Sequence, residues 1–254
     1  MTRDRGQDVS VELRERLIPL FGGDIAIERL ALLAGGASKE AWALDLRTPQ
    51  GTRLLLVRRA GGGVIHQQTL SLEHECRLLE VAYAAGVRAP QPYGYLGEIV
   101  GRPAFVSERV SGETIGRRIA QRPELAGARA VLPAQMAEEL AKIHAIPADR
   151  VPFLEAGGPH DVLTRLEREL DSVEEPHPAI ELGLAWAKSR APDRGDVVVL
   201  HGDLRVGNLK WAIGALTQAR RHLSGQQRSV ELAVIGRLAA EMEFELLHLL
   251  ERAG

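Results

Sequence analysis

The feature that most constrains the fold is a change of period about two-fifths of the way along the chain. Before residue 110, apolar residues fall into short runs bounded by glycine and proline. "IAIERLALL", "EAWALDLRT" and "GTRLLLVRRA" read as three strands, and "RAPQPYGYLGEIVGRPAFVSERV" as a hairpin that closes a small sheet. Two helices interrupt them: "VELRERLIPLFGG", stopped by Gly22 and Gly23, and "LSLEHECRLLEVAYAAG", stopped by Gly86. From about Ser111 the spacing is helical. "AQMAEELAKIHAI", "HDVLTRLERELDSV" and "AIELGLAWAKSRA" each carry an apolar stripe. "DVVVLHGDL" is the exception, a buried strand expected to run into a polar loop. The tail repeats apolar residues at Leu232, Ile235, Leu238, Met242 and Leu249, one face of a long helix. Strands gathered early and helices late predict an α+β chain in two parts, a small antiparallel sheet over 1–110 and a helical part over 111–254. Clefts between two such parts are favoured ligand sites.

Composition narrows the partners. The formal net charge is −2, so no broad attraction to nucleic acid or an anionic membrane surface is expected. No apolar run is long enough to span a bilayer, and "MTRDRGQDVS" lacks the apolar core of a signal peptide. Cys76 is the only cysteine, which rules out an intrachain disulfide. The expectation is a cytoplasmic protein.

The densest chemistry lies in "VVVLHGDLRVGNL". It offers His201 and Asp203, with Asn208 five residues beyond the aspartate. Phosphoryl transfer needs a carboxylate to orient or deprotonate a hydroxyl, and oxygen ligands for Mg²⁺ beside the phosphates. The same residues could serve only as a surface loop, with Gly202 making a turn. Three further features stand upstream. "LLAGGASKEAWAL" sets Gly35, Gly36 and Ser38 between two strands, where backbone N–H groups could cover phosphates or simply form a hairpin turn. Arg58 lies on the third strand and Glu75 on the helix after it. Either alone reads as an ordinary surface charge. In sequence, the four features follow the order a kinase fold requires.

On these segments, with "AFVSERVSGETI" and "AEELAKIHAI", the chain resembles the aminoglycoside phosphotransferase-like family of small-molecule kinases. It is especially similar to the branch found as a kinase-like domain in some acyl-CoA dehydrogenase proteins. The resemblance implies a protein-kinase-like two-lobe fold, ATP and Mg²⁺ as cofactors, and a hydroxylated small molecule as acceptor. It implies Asp203 as catalytic base, His201 bracing the loop over 201–208, and Asn208 as a metal ligand. It places Arg58 where a lysine is usual, paired with Glu75 and facing phosphate. Glu108 and Val110 would meet adenine on the connection between lobes, and His144 would be structural.

One part of the pattern is missing. A kinase-like site needs a second acidic residue after the loop to hold Mg²⁺. In the resembled family it follows a short hairpin. Here Leu209 runs straight into "KWAIGALTQARRHL", and no aspartate occurs from Leu209 to Gly254. Glu231, Glu241, Glu243, Glu245 and Glu251 fall on the expected tail helix instead. The helical lobe therefore reads as incomplete, with an internal deletion after Leu209. Two alternatives accompany the kinase reading: a catalytically impaired or inactive remnant, and a metal-dependent hydrolase ligated by His201 and Asp203. No second histidine cluster at ligand spacing supports the hydrolase.

Overall fold

A computed structural model describes residues 5–33, 39–61, 70–113, 116–193 and 195–201. The described chain falls into two compact units. The first runs through Phe153 and includes Val198–Leu200; the second holds Leu154–Val197 together with His201.

The first unit is built on a five-stranded antiparallel sheet. Its strands are β1 (Ala26–Leu32), β2 (Lys39–Thr48), β3 (Gly51–Ala60), β4 (Pro92–Glu98) and β5 (Pro103–Glu108), in spatial order β1-β2-β3-β5-β4. The hairpin β4–β5 thus joins the sheet through its second strand, because β5 and not β4 pairs with β3. Helix α1 (Arg5–Phe21) covers one face. Val9, Leu13 and Leu17 recur every four residues, so they share one side of the helix. They pack on Leu44, Leu46, Leu55, Val57, Ala104 and Val106 from alternate positions of the strands. Burial of each such side chain is worth about 1.5–3 kcal/mol. The helix stops at Gly22, whose φ of +90° suits glycine and whose N–H reaches the Ile18 carbonyl at 2.8 Å.

Helix α2 (Leu72–Ala84) covers the opposite face, packing Leu72 and Cys76 on Phe105. Ser71 caps it, its hydroxyl accepting the His74 N–H at 3.1 Å. Downstream in the same unit lie α3 (Gly116–Gln121) and α4 (Ala126–His144).

In the second unit α5 (Pro159–Asp171) and α6 (Pro178–Arg190) share a small core of Leu163, Leu170, Val173, Ile180 and Leu184. Asp161 secures the start of α5, its carboxylate accepting the Gly158 N–H at 2.7 Å. Lys188 of α6 pairs with Glu167 of α5.

The elements expected from the sequence appear at α1, β1–β5, α2, α4, α5 and α6. The sequence "DVVVLHGDL" is different. Residues 195–201 form no strand, and while Val199 is buried, Val197 is 75% exposed and Leu200 66%. An apolar run makes a strand only where a neighbour satisfies its backbone, and among the described residues none pairs with it. The apolar tail stripe lies outside the described residues.

Candidate active site

Two consecutive arginines on β3 divide the sheet's two faces. Successive residues of a strand point to opposite sides. Arg59 goes to the α1 face and is buried. Its Nε donates to the Ile99 carbonyl at 2.9 Å, and its guanidinium meets the Glu40 carboxylate at 2.7 Å. Arg102 binds the other oxygen of Glu40 at 3.1 Å. Arg59 is thereby committed to holding the hairpin β4–β5.

Arg58 goes to the α2 face, in register with Ala41 on β2 and Phe105 on β5. Lys39, opposite Ala60, lies on the same face two residues before Ala41. Helix α2 supplies the acidic partner. Leu72 and Cys76 fix which side of α2 meets the sheet, and Glu75, three residues after Leu72, falls on that side. The pair that forms is Lys39 with Glu75, with side chains only 14% and 22% exposed. This corrects the expected Arg58–Glu75 pair. Lys39 stands nearer the start of β2 and takes the carboxylate, and no hydrogen bond or ion pair joins Arg58 to a described residue.

The electrostatics favour an anion. Burial, and then the neighbouring Arg58 guanidinium, pull the Lys39 ammonium down to about 8. Burial lowers Arg58 as well. One carboxylate thus faces two crowded cations. Glu75 Oε2 is buried without a hydrogen-bond partner among the described residues. Such a face has cationic charge to spare, which suits a phosphate group.

The other expected site residues fall on other parts of the chain or outside the described residues. Glu108 ends β5, its N–H donating to the Gln91 carbonyl at 2.8 Å and its carboxylate accepting the Gln91 N–H at 3.2 Å. Val110 follows, 62% exposed. His144 is exposed at the end of α4, and His201 is exposed. Gly35, Gly36, Ser38, Asp203 and Asn208 lie outside the described residues. Among the described residues no three His, Cys, Asp or Glu side chains gather as a metal site would require. No helix among them is long and apolar enough to cross a membrane.

Sequence reasoning missed Lys39. A signal was present: only four of the 32 basic residues are lysines, and Lys39 is the sole one before Lys142. In a chain that mostly uses arginine, a lysine three residues after the Gly35–Gly36 pair is a marked choice.

The profile of the family described as "Phosphotransferase enzyme family" matches residues 29–221, a span that holds β2–β5, α2 and His201. The chain belongs to that family. Two solved structures share the kinase-like α+β fold of this phosphotransferase. One, from Ralstonia eutropha JMP134, is provisionally assigned as an aminoglycoside phosphotransferase. It is 16% identical, with a TM-score of 0.61, over 93% of this chain and 97% of that one. The other is the GDP and kanamycin complex of APH(2")-IIIa, 17% identical, with a TM-score of 0.52, over 76% of this chain and 65% of that one. At these identities the likeness is one of fold. No curated protein matches the chain.

Proposed function

We propose that this phosphotransferase uses ATP to phosphorylate a hydroxyl on a small molecule, and that the chain as it stands does so slowly. The observation carrying the reading is the α2-facing side of the sheet, where Lys39, Arg58 and Glu75 collect in a chain of the phosphotransferase family. The nucleotide phosphates lie against these cations, and the glycine turn at Gly35, Gly36 and Ser38 covers them. Glu108 and Val110 border the base. Asp203 orients the acceptor hydroxyl and takes its proton as the oxygen attacks the terminal phosphorus, with ADP leaving. His201 braces that loop.

The donor set fits Mg²⁺ poorly. Beyond Asp203 the loop offers Asn208, a neutral oxygen ligand, and no aspartate follows it. A hard cation favours carboxylates. Lewis-acid stabilisation is worth several kcal/mol, so its weakening slows transfer by roughly three orders of magnitude. This absence also favours a second reading, a relative that binds nucleotide without turning it over.

The experiment is ATP binding, followed by ATP consumption against a panel of hydroxylated small molecules, with an Asp203→Ala control. Binding with slow, Asp203-dependent turnover is expected. Binding with no Asp203-dependent turnover favours the second reading. Rapid turnover abolished by the substitution means that another carboxylate has replaced the missing aspartate. A chain that binds no ATP sinks both readings.

A further inference from the structure

We infer that Lys39 on β2, and not the β3 residue Arg58, is the primary phosphate anchor of this protein, with Glu75 as its positioning residue. The inference rests on the reading of a nucleotide site on this face of the sheet, and it changes which strand supplies the contact.

The geometry separates the two cations. Lys39 is tied to Glu75, and Glu75 is fixed by its helix, because Leu72 and Cys76 anchor α2 to Phe105. A cation held this way presents its remaining ammonium protons in one direction. Arg58 makes no ion pair with a described residue, so nothing described aims it. Preorganised donors bind better than free ones, since less side-chain entropy is lost on contact. Lys39 is also the first residue of β2, three residues after Gly36 in the chain. Arg58, in register with Ala41, sits two residues further along the sheet. The unpartnered Glu75 Oε2 shows that Lys39 alone does not satisfy the carboxylate. Arg58 beside Lys39 then supplies a second, looser cation, which leaves the face net positive toward a polyphosphate. Arg59 is engaged on the opposite face, and Arg53, in register with Leu46, falls on that face as well, so Arg58 is the one β3 cation on the α2 side.

The test uses the full chain with ATP as probe. In wild-type protein, reductive methylation is followed at Lys39, Lys142 and Lys188 by mass spectrometry, with and without saturating ATP. Protection of Lys39 alone is expected, and this readout needs neither catalysis nor a variant. ATP affinity is then measured for Lys39→Met, Lys39→Arg and Arg58→Met, each with its melting temperature. A charge-assisted contact makes Lys39→Met about ten- to a hundred-fold weaker in ATP binding, with partial recovery in Lys39→Arg and a smaller loss in Arg58→Met. Glu75→Gln is expected to change the methylation rate of Lys39 and leave those of Lys142 and Lys188 unaltered. Wild-type protein that binds ATP with Lys39 unprotected overturns the inference and leaves the nucleotide site standing. So does a folded Lys39→Met that binds normally while Arg58→Met does not. Failure of wild-type protein to bind ATP overturns the inference together with the reading beneath it.

Discussion

Arg58 and Arg59 are neighbours in the chain and serve opposite faces of one sheet. Arg59 joins the Ile99 carbonyl and Glu40 beneath α1, whereas Arg58 faces α2 near Lys39. A one-residue slip of β3 would exchange them, since strand side chains alternate. The two positions should therefore respond differently to the same substitution. Arg59→Met leaves the Ile99 carbonyl without this donor and Glu40 with only Arg102 and the Trp42 indole N–H, and is expected to cost about 2–3 kcal/mol. Arg58→Met is expected to stay within about 1 kcal/mol. Urea unfolding midpoints check both, and equal losses would mean the register is wrong.

The capping of α2 is a second lever on the site. Ser71 holds the His74 N–H one residue before the Glu75 carboxylate. Ser71→Ala should cost about 1 kcal/mol. Ser71→Asp should retain most of that stability, because a carboxylate caps as well and favours the helix N-terminus. Thermal unfolding of the two variants side by side decides it.

Val100 carries a backbone conformation that a β-branched residue seldom adopts. It turns the β4–β5 hairpin at φ +49°, followed by Gly101 at +67°. Ile99 and Arg102 close the turn with N–H to carbonyl bonds of 2.8 and 3.2 Å. Two-residue turns with both φ values positive favour Asn-Gly. Val100→Asn should therefore stabilise the protein by about 0.5–1 kcal/mol, seen as a raised melting temperature. A lowered one would show that the packing of the valine side chain outweighs the backbone strain, since the Val100 backbone N–H that Glu12 accepts at 2.6 Å is kept by the substitution.

Cys76 gives a pH signature. Burial, then the charge of Glu80 and its hydrogen bond with the thiol, push Cys76 up from 9.0 to about 12. Between these values the unfolded chain has released a proton that the folded chain keeps. Stability from this group is complete below about pH 9 and is lost as pH rises toward 12. The slope of unfolding midpoint against pH over this window should flatten in Cys76→Ala. Iodoacetamide at pH 8 should modify Cys76 only in unfolded protein, and ready reaction of folded protein would contradict its burial.

The sequence by itself determined the elements and their class. Short apolar runs bounded by glycine and proline marked the five strands, apolar stripes at helical spacing marked the helices, and glycines marked where α1 and α2 stop, because each of these signals acts within a few residues. It also carried the family resemblance, through His201, Asp203 and the order of segments before them. Tertiary structure decided what depends on distant partners. Residues 197–200 are as apolar as any strand but form none, since a strand needs a neighbour to bond. Arg58 and Arg59 are indistinguishable in sequence, and only the packing of α1 and α2 on opposite faces separates a structural guanidinium from a site guanidinium. Likewise nothing local links Lys39 to Glu75, 36 residues away. That pair exists because β2 and α2 converge on one face of the sheet, where the desolvated charge of each needs the other.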